Sequence, residues 1–313
     1  MRNNELVSVI IPTYYRNDDL QATLRSVVDH PYTPIEVIVV DDSGEGYAES
    51  VIETFDGIKY IPLSENVGPQ EARNIGIERS NGRYLQLLDD DDIILDRKLS
   101  KQVDVFQERN NVGGVYCGLR WGSGGPSVLP DRRVRGDVLE QTLRFQTSPC
   151  AMGTMLIDRN AIKRILPLKH HHGADDIGMK IELARVTEFD FVDEVLVYRG
   201  NSEESRSTSL TSVDGRKQIL SMCDDLYAEF PASVRRAALA ETYLVQGQIQ
   251  LNRDFWSPAA IASFARACYY IPGLRAPYIG SLFASFFGRT VYGTARSFYS
   301  QFVLGDDRRG KNT

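Results

Sequence analysis

The chain has little cysteine, no long apolar run and no excess of positive charge. Its four cysteines, Cys117, Cys150, Cys223 and Cys268, are scattered through 313 residues. They match neither metal-ligand spacing nor a disulfide framework. In the C-terminal region the longest uncharged stretch, Ala276 to Gly288, has 13 residues, short of the roughly 20 that span a bilayer. A formal net charge of −6 argues against nucleic acid as a partner. Met1 to Glu5 lead straight into an apolar strand with no signal peptide, so the expected location is the cytoplasmic side. A chain of this length can bury a full core in one large domain plus an extension.

What the chain does have is four consecutive carboxylates, Asp89-Asp90-Asp91-Asp92, between Leu85-Gln86-Leu87-Leu88 and Ile93-Ile94-Leu95. The leading stretch reads as the end of a buried strand. Like charges crowded at a strand end repel one another, and desolvation adds to the cost. A hard divalent cation removes both penalties, because Mg²⁺ and Mn²⁺ prefer carboxylate oxygens and shared phosphates. The alternative is a solvated acidic turn.

Upstream, Val7 to Ile11 and Ile35 to Val40 are β-branched, apolar strands suited to a sheet covered on both faces. Pro12-Thr13-Tyr14 is expected to break the first strand, and Asp18 to Val28 has helical spacing. The second strand ends in Asp41-Asp42-Ser43-Gly44. Ile58 to Ile61 is a short third strand, and a helix from Gln70 to Arg79 leads to Arg83-Tyr84 and the acidic run. Alternation of this kind predicts right-handed βαβ units and a parallel sheet. Asp41-Asp42 and Asp89 to Asp92 then share the carboxyl edge, where a nucleotide would sit.

Five segments in this order carry a resemblance: Val7 to Tyr14, Glu36 to Ser43, Asn66 to Pro69, Ala72 to Ile77 and Leu88 to Asp92. Over about residues 5 to 200 the chain resembles a family-2 glycosyltransferase of the GT-A fold. The resemblance implies an α/β fold: a Rossmann-like, mostly parallel sheet with helices on both faces, followed by an α-helical C-terminal extension. The expected layout is a catalytic domain over 1–200, a linker or acceptor loop over 201–212, helices over 213–304 and a polar tail over 305–313.

The resemblance also implies roles. The donor is a nucleotide-diphosphate sugar, with UDP favoured, and the cofactor is Mn²⁺ or Mg²⁺. Pro12 and Tyr14 lie at the donor, with the Tyr14 ring on the base face, unless it is a packing tyrosine. Asp42 accepts from a uracil imide, with Asp41 as support, unless it caps the following turn. Arg73 faces the base or diphosphate, unless it pairs with Glu71 or Glu78. Asp91 is the expected direct metal ligand together with Asp89, while Asp89 or Asp90 holds the ribose. Asp176 falls where the family places its catalytic base, beside Asp175, and the pair has the alternative of capping a helix start. In place of the family's more usual Glu-Asp and aromatic stand Asp175-Asp176 and Ile177. Of His170 to His172, His172 is a candidate acceptor or phosphate contact, and no zinc site is expected from adjacent histidines. Arg199 is a candidate diphosphate contact.

The chain is similar to archaeal and bacterial enzymes that extend polyprenyl- or dolichyl-phosphate glycans. A lipid-linked glycan acceptor, used in protein or surface-polymer glycosylation, is therefore expected. A sugar nucleotidyltransferase would carry a glycine-rich phosphate loop after the first strand, where this chain has Pro12-Thr13-Tyr14-Tyr15. A non-catalytic nucleotide-sugar-binding paralogue stays open, as does polysaccharide synthesis. Trp256, Phe264, Tyr269, Tyr270, Phe283, Phe286, Phe287 and Phe298, interleaved with arginines, predict peripheral membrane contact through the C-terminal region. The alternative is that these aromatics pack the helices.

Overall fold

The computed structural model describes residues 5–200 and 209–298, apart from 123, 272 and 274. It divides into two compact units. The first comprises Met1–Thr142, Thr147–His170 and Asp175–Ser205, and the second Leu143–Gln146, His171–Ala174 and Arg206–Thr313.

The first unit is built on one sheet. Its leading half joins β1 (Val7–Thr13), β2 (Ile35–Asp41), β3 (Ile58–Pro62) and β4 (Tyr84–Leu87) in the spatial order β3-β2-β1-β4, all parallel. Beyond β4 the sheet is mixed. It runs on through β8 (Leu156–Asp158), β6 (Val112–Trp121), β9 (Glu188–Arg199) and β5 (Ile93–Ile94), with β7 (Ser127–Val128) on β6. β6 and β9 are parallel, whereas β8 meets both its neighbours antiparallel.

The expected break at Pro12 does not occur, since β1 continues to Thr13. β4 pairs with β1 only as far as Ile10, so Pro12 has β2 on one side and no β4 residue opposite it on the other. A residue without an N–H is tolerated where one side of the ladder is unpaired.

Alternate residues of β1 feed two cores, which explains its unbroken apolar run. Val7, Val9 and Ile11 pack with α1 (Asn17–Val28), α2 (Glu49–Ile52) and α4 (Lys98–Glu108). Ile10 packs on the opposite face in a core shared with α3 (Pro69–Glu78), Leu139 of α5 (Leu139–Leu143), α6 (Arg159–Lys163) and α7 (Asp175–Ala184). α3 starts cleanly because Gly68, at φ +86°, turns the chain and Pro69 occupies its first turn.

The second unit is helical: α8 (Leu210–Met222), α9 (Asp224–Ala228), α10 (Ala232–Arg253), α11 (Pro258–Tyr270), α12 (Ala276–Ser285) and α13 (Arg289–Phe298). α8 thus begins within the stretch expected to be linker, of which 201–208 lie outside the described residues, as does 305–313. α10 and α11 approach closely at Gly247, where an added Cβ would lie 2.8 Å from the Phe264 ring. Leu251, Ala260, Phe264, Ala284 and Tyr292 form one core, and Ala240, Ala267, Ile271 and Tyr278 another. Phe264, expected at a membrane surface, is therefore core. No described helix is long and apolar enough to cross a membrane.

Candidate active site

The acidic run is a turn, closed by the Asp92 N–H donating to the Asp89 carbonyl at 3.1 Å. It divides its four carboxylates between two environments. Asp90 and Asp92 are buried, while the Asp89 side chain is about one-third exposed and that of Asp91 partly so. Asp90, which shares with Asp89 the expectation of a ribose contact, anchors the turn to β1 and α1. Its Oδ2 accepts from Thr13 Oγ1 at 2.9 Å and its carbonyl from Thr23 Oγ1 at 2.8 Å. Burial pushes the Asp90 carboxyl up to about 6, against the opposing pull of Arg16 and Thr13.

Arg16 Nη1 lies 3.3 Å from Asp90 Oδ1 and 3.4 Å from Asp91 Oδ2. Arg73 Nη2 donates to Asp89 Oδ1 at 2.5 Å and Nη1 to Gln70 Oε1 at 3.2 Å. Arg73 thus pairs with the acidic turn rather than with Glu71 or Glu78. Its Nε is buried and has no hydrogen-bond partner among the described residues.

Asp92 faces inward. Its Oδ1 accepts from the Gly200 N–H at 3.2 Å, and burial followed by the neighbouring charge of Asp89 holds its carboxyl far above the ordinary range. Beneath it Lys98 is fully buried, donating to Gln86 Oε1 and, at 2.8 Å, to Gln102 Oε1. Burial pulls the Lys98 ammonium down to about 8.

Asp41 and Asp42 both serve backbone donors, but it is Asp41 that holds the turn following β2, while Asp42 reaches the loop at Val67 and Gly68. Asp41 accepts from the N–H groups of Ser43 and Ala48 and from the Tyr60 hydroxyl at 2.7 Å. Asp42 accepts from Val67 N at 2.7 Å and Gly68 N at 2.9 Å, fixing the loop ahead of α3. Pro12 is buried in the sheet. Tyr14 is about half exposed, edge-on to Tyr15 at 4.7 Å, and Tyr15 in turn lies 4.8 Å from Tyr47. Tyr15 holds φ +54°, a left-handed backbone uncommon for a bulky residue, with its hydroxyl donating to Glu45 Oε1 at 3.0 Å.

On α7 the acidic pair splits. Asp175 is buried with its Oδ1 3.1 Å from His170 Nδ1, and the partly exposed Asp176 is 3.1 Å from Lys180 Nζ. Lys180 also donates to the Cys150 carbonyl at 2.6 Å. The segment from Cys150 to Gly153 links this group to the acidic turn, because a Cβ on Gly153 would clash with Asp92 Oδ2. Three residues of chain, at most about 11 Å, separate the two attachments. Arg199 caps the Trp121 ring at 5.0 Å and sits close enough to Asp92 to favour its charged form. His172 is exposed at φ +47° and belongs with the second unit.

Asp89 and Asp91 supply the hard oxygen donors that suit Mg²⁺ or Mn²⁺, which are held by one or two carboxylates plus substrate phosphates. Among the described residues no three His, Cys, Asp or Glu side chains form a ready-made cage, and such phosphate-completed sites need none. Sequence reasoning missed Thr13, Arg16 and Lys180. Of these, Lys180 was legible, four residues beyond Asp176 on a helix.

The model of glycosyl transferase family 2 matches residues 8–166. A teichuronic acid biosynthesis glycosyltransferase of Bacillus subtilis, TuaG, is 37% identical over 109 residues, 34% of this chain and 43% of that protein. The UDP-Glc:alpha-D-GlcNAc-diphosphoundecaprenol beta-1,3-glucosyltransferase WfaP of Escherichia coli is 34% identical over 114 residues, 36% of this chain and 45% of WfaP. The chain thus spans less than half the length of either relative. Among solved structures, S. aureus TarS 1–349 in complex with UDP-GlcNAc superposes with a TM-score of 0.62 at 16% identity, covering 94% of this chain and 91% of that one. The Pyrobaculum calidifontis mannosyltransferase PcManGT with GDP-Man and Mn²⁺ gives 0.56 at 16% identity, covering 95% and 87%. Likeness at that identity speaks for the GT-A fold, while the family match takes in the β1 edge, the Asp42 loop and the acidic turn. The chain belongs to glycosyl transferase family 2.

Proposed function

We propose that this chain is an inverting, metal-dependent glycosyltransferase that moves a sugar from a nucleotide-diphosphate sugar, UDP-linked in preference, to a lipid-linked glycan. The observation that carries the reading is the gathering of Thr13, Arg16 and Arg73 around the acidic turn at the carboxyl edge of β1 and β4. Ligands of open α/β sheets sit at such an edge. UDP-GlcNAc in the TarS complex and the diphosphoundecaprenol acceptor in the name of WfaP support donor and acceptor class. The name of TuaG supports a second reading, synthesis of a polysaccharide.

In this mechanism Tyr14 offers a ring face to the base, and the Asp42 carboxylate accepts from a base N–H. Arg73 orients Asp89 and brings positive charge toward the diphosphate, and its buried Nε–H has no partner among the described residues. Asp91, with Asp89, would hold the cation, which when bound neutralises the departing diphosphate. Arg199 adds positive charge on the same side. Asp176 takes the proton of the acceptor hydroxyl as that oxygen attacks the anomeric carbon in line, and Lys180 holds the carboxylate in place. No covalent intermediate is needed. The enzyme would work peripherally at the cytoplasmic face of the membrane, as a lipid-linked acceptor requires.

The test is a binding and transfer screen of the full chain with UDP-, GDP- and dTDP-sugars, with Mn²⁺ or Mg²⁺, onto polyprenyl-phosphate glycans and onto soluble polysaccharide. Transfer to the lipid-linked acceptor that EDTA silences and Asp91→Ala abolishes is expected. Full activity in excess EDTA removes the metal from the reading, and donor binding without any transfer points to a non-catalytic paralogue.

A further inference from the structure

From Phe255 to Gly305 the sequence contains no Asp or Glu, yet it includes Arg266, Arg275, Arg289 and Arg296, in a chain of net charge −6. The same stretch concentrates exposed aromatic surface in the second unit. Phe255, Trp256, Phe283, Phe286 and Phe287 are each more than half exposed.

These five side chains belong to one place. The Trp256 indole N–H donates to the Phe286 carbonyl at 3.1 Å, and the Arg289 N–H to the Phe255 carbonyl at 2.8 Å. Phe283, in the last turn of α12, precedes its C-cap Phe286 by three residues and Phe287 by four, one helical turn. The corner after α10 and the corner between α12 and α13 therefore meet in a single aromatic patch. Exposed Arg253 and Arg289 flank it in sequence, with Arg289 Nη1 steadied by the Asn252 carbonyl at 3.0 Å, and the exposed Asp254 immediately precedes Phe255.

We propose that this patch is a docking surface for an anionic phospholipid bilayer. Large aromatic rings rimmed by arginines on short helices are the composition of an interfacial segment. Trp256 suits the headgroup level, where the amphipathic indole is favoured. Charge separates the occupants: acidic headgroups complement a stretch devoid of carboxylates, and each arginine near the surface adds to the attraction. A second copy of the chain would set arginine against arginine, which disfavours self-pairing. Contiguous exposed apolar area of this kind marks an interaction site rather than ordinary surface. The proposal draws its use, but not its support, from the lipid-linked acceptor proposed above.

The experiment is flotation of the full-length protein with vesicles of equal parts phosphatidylcholine and phosphatidylglycerol, with pure phosphatidylcholine vesicles as the control. Binding to the anionic vesicles that weakens with salt is expected. The double variant Phe286→Ser/Phe287→Ser should partition at least about a hundredfold less, the low end for withdrawing two phenyl groups from an apolar phase. Quenching of tryptophan emission by brominated lipid, read on the wild type, reports insertion even if the variant folds poorly. UDP binding should be equal in both proteins, so loss of docking and loss of the glycosyltransferase reading are separately visible. No flotation, equal flotation of the variant, or equal binding to neutral vesicles overturns the proposal. So does a concentration-dependent dimer that the variant abolishes, which would make a second copy the occupant.

Discussion

Gly200 lies so close to Asp91 that a Cβ at position 200 would stand 2.5 Å from the Asp91 carbonyl oxygen and 2.7 Å from its Cβ and Cγ. Real side chains do not approach that closely, so the end of β9 can pass the acidic turn only as glycine. Gly200→Ala should therefore displace Asp91. The expected result is a drop of at least about tenfold in metal-dependent donor affinity, with a stability loss of about 1–3 kcal/mol from overpacking. Titration calorimetry with UDP and Mn²⁺, beside a thermal melt, checks both. Unchanged affinity would mean that Asp91 does not need this position to bind donor.

Arg73 gives a sharper probe of the donor side, because it is buried and ion-paired with Asp89. Arg73→Met keeps most of the apolar stem and removes the guanidinium. Its removal leaves Asp89, about one-third exposed, to solvent rather than to a fixed partner, and the loss of that positioning should appear in binding. Donor affinity should fall by one to two orders of magnitude, most of all for the complete nucleotide diphosphate. Equal loss for UMP and UDP would place Arg73 away from the diphosphate.

The leading half of the fold was legible because its strands are short apolar runs and its helices keep a 3.6-residue period. β1, β2, β3 and α3 fall within two residues of where the pattern puts them. The later half was harder to read. β6, β8 and β9 pair across long sequence separations, which period alone does not specify. In the site, the acidic turn itself was visible, but its division was not. Whether Asp90 or Asp91 faces inward depends on Thr13, Thr23 and Arg16, each about seventy residues away in sequence. Asp42 was expected to meet a base, and its backbone role could not be ranked without the position of Gly68. The aromatic C-terminal region divided the same way, Phe264 going to the core and Phe286 and Phe287 to the surface.

Asp176→Asn tests the base. The substitution is nearly isosteric, and the amide can still accept from Lys180, so the helix start should survive. Turnover should fall at least about 10²-fold, while UDP-sugar binding stays at the wild-type value. Lys180→Met provides the companion measurement. If Lys180 only positions Asp176, its loss should shift the pH profile of kcat without abolishing turnover. Wild-type turnover in Asp176→Asn removes this residue from the mechanism.

The last expectation concerns stability and pH. Lys98 is buried against Gln86 and Gln102, and its ammonium titrates near 8 in the folded chain against 10.5 when unperturbed. Below pH 8 both folded and unfolded chains carry the proton, and the folded state bears the cost of burying the charge. Between pH 8 and 10.5 the unfolded chain binds more protons than the folded one, so this residue makes stability rise with pH across that window. The full rise is roughly 3 kcal/mol. In Lys98→Met the contribution disappears, and the carbonyl oxygens of Gln86 and Gln102 lose a donor, which lowers stability at the alkaline end. Urea unfolding of both proteins from pH 7 to pH 10 should therefore show wild type gaining on the variant as pH rises. Parallel curves would mean that Lys98 keeps an ordinary pKa despite its burial.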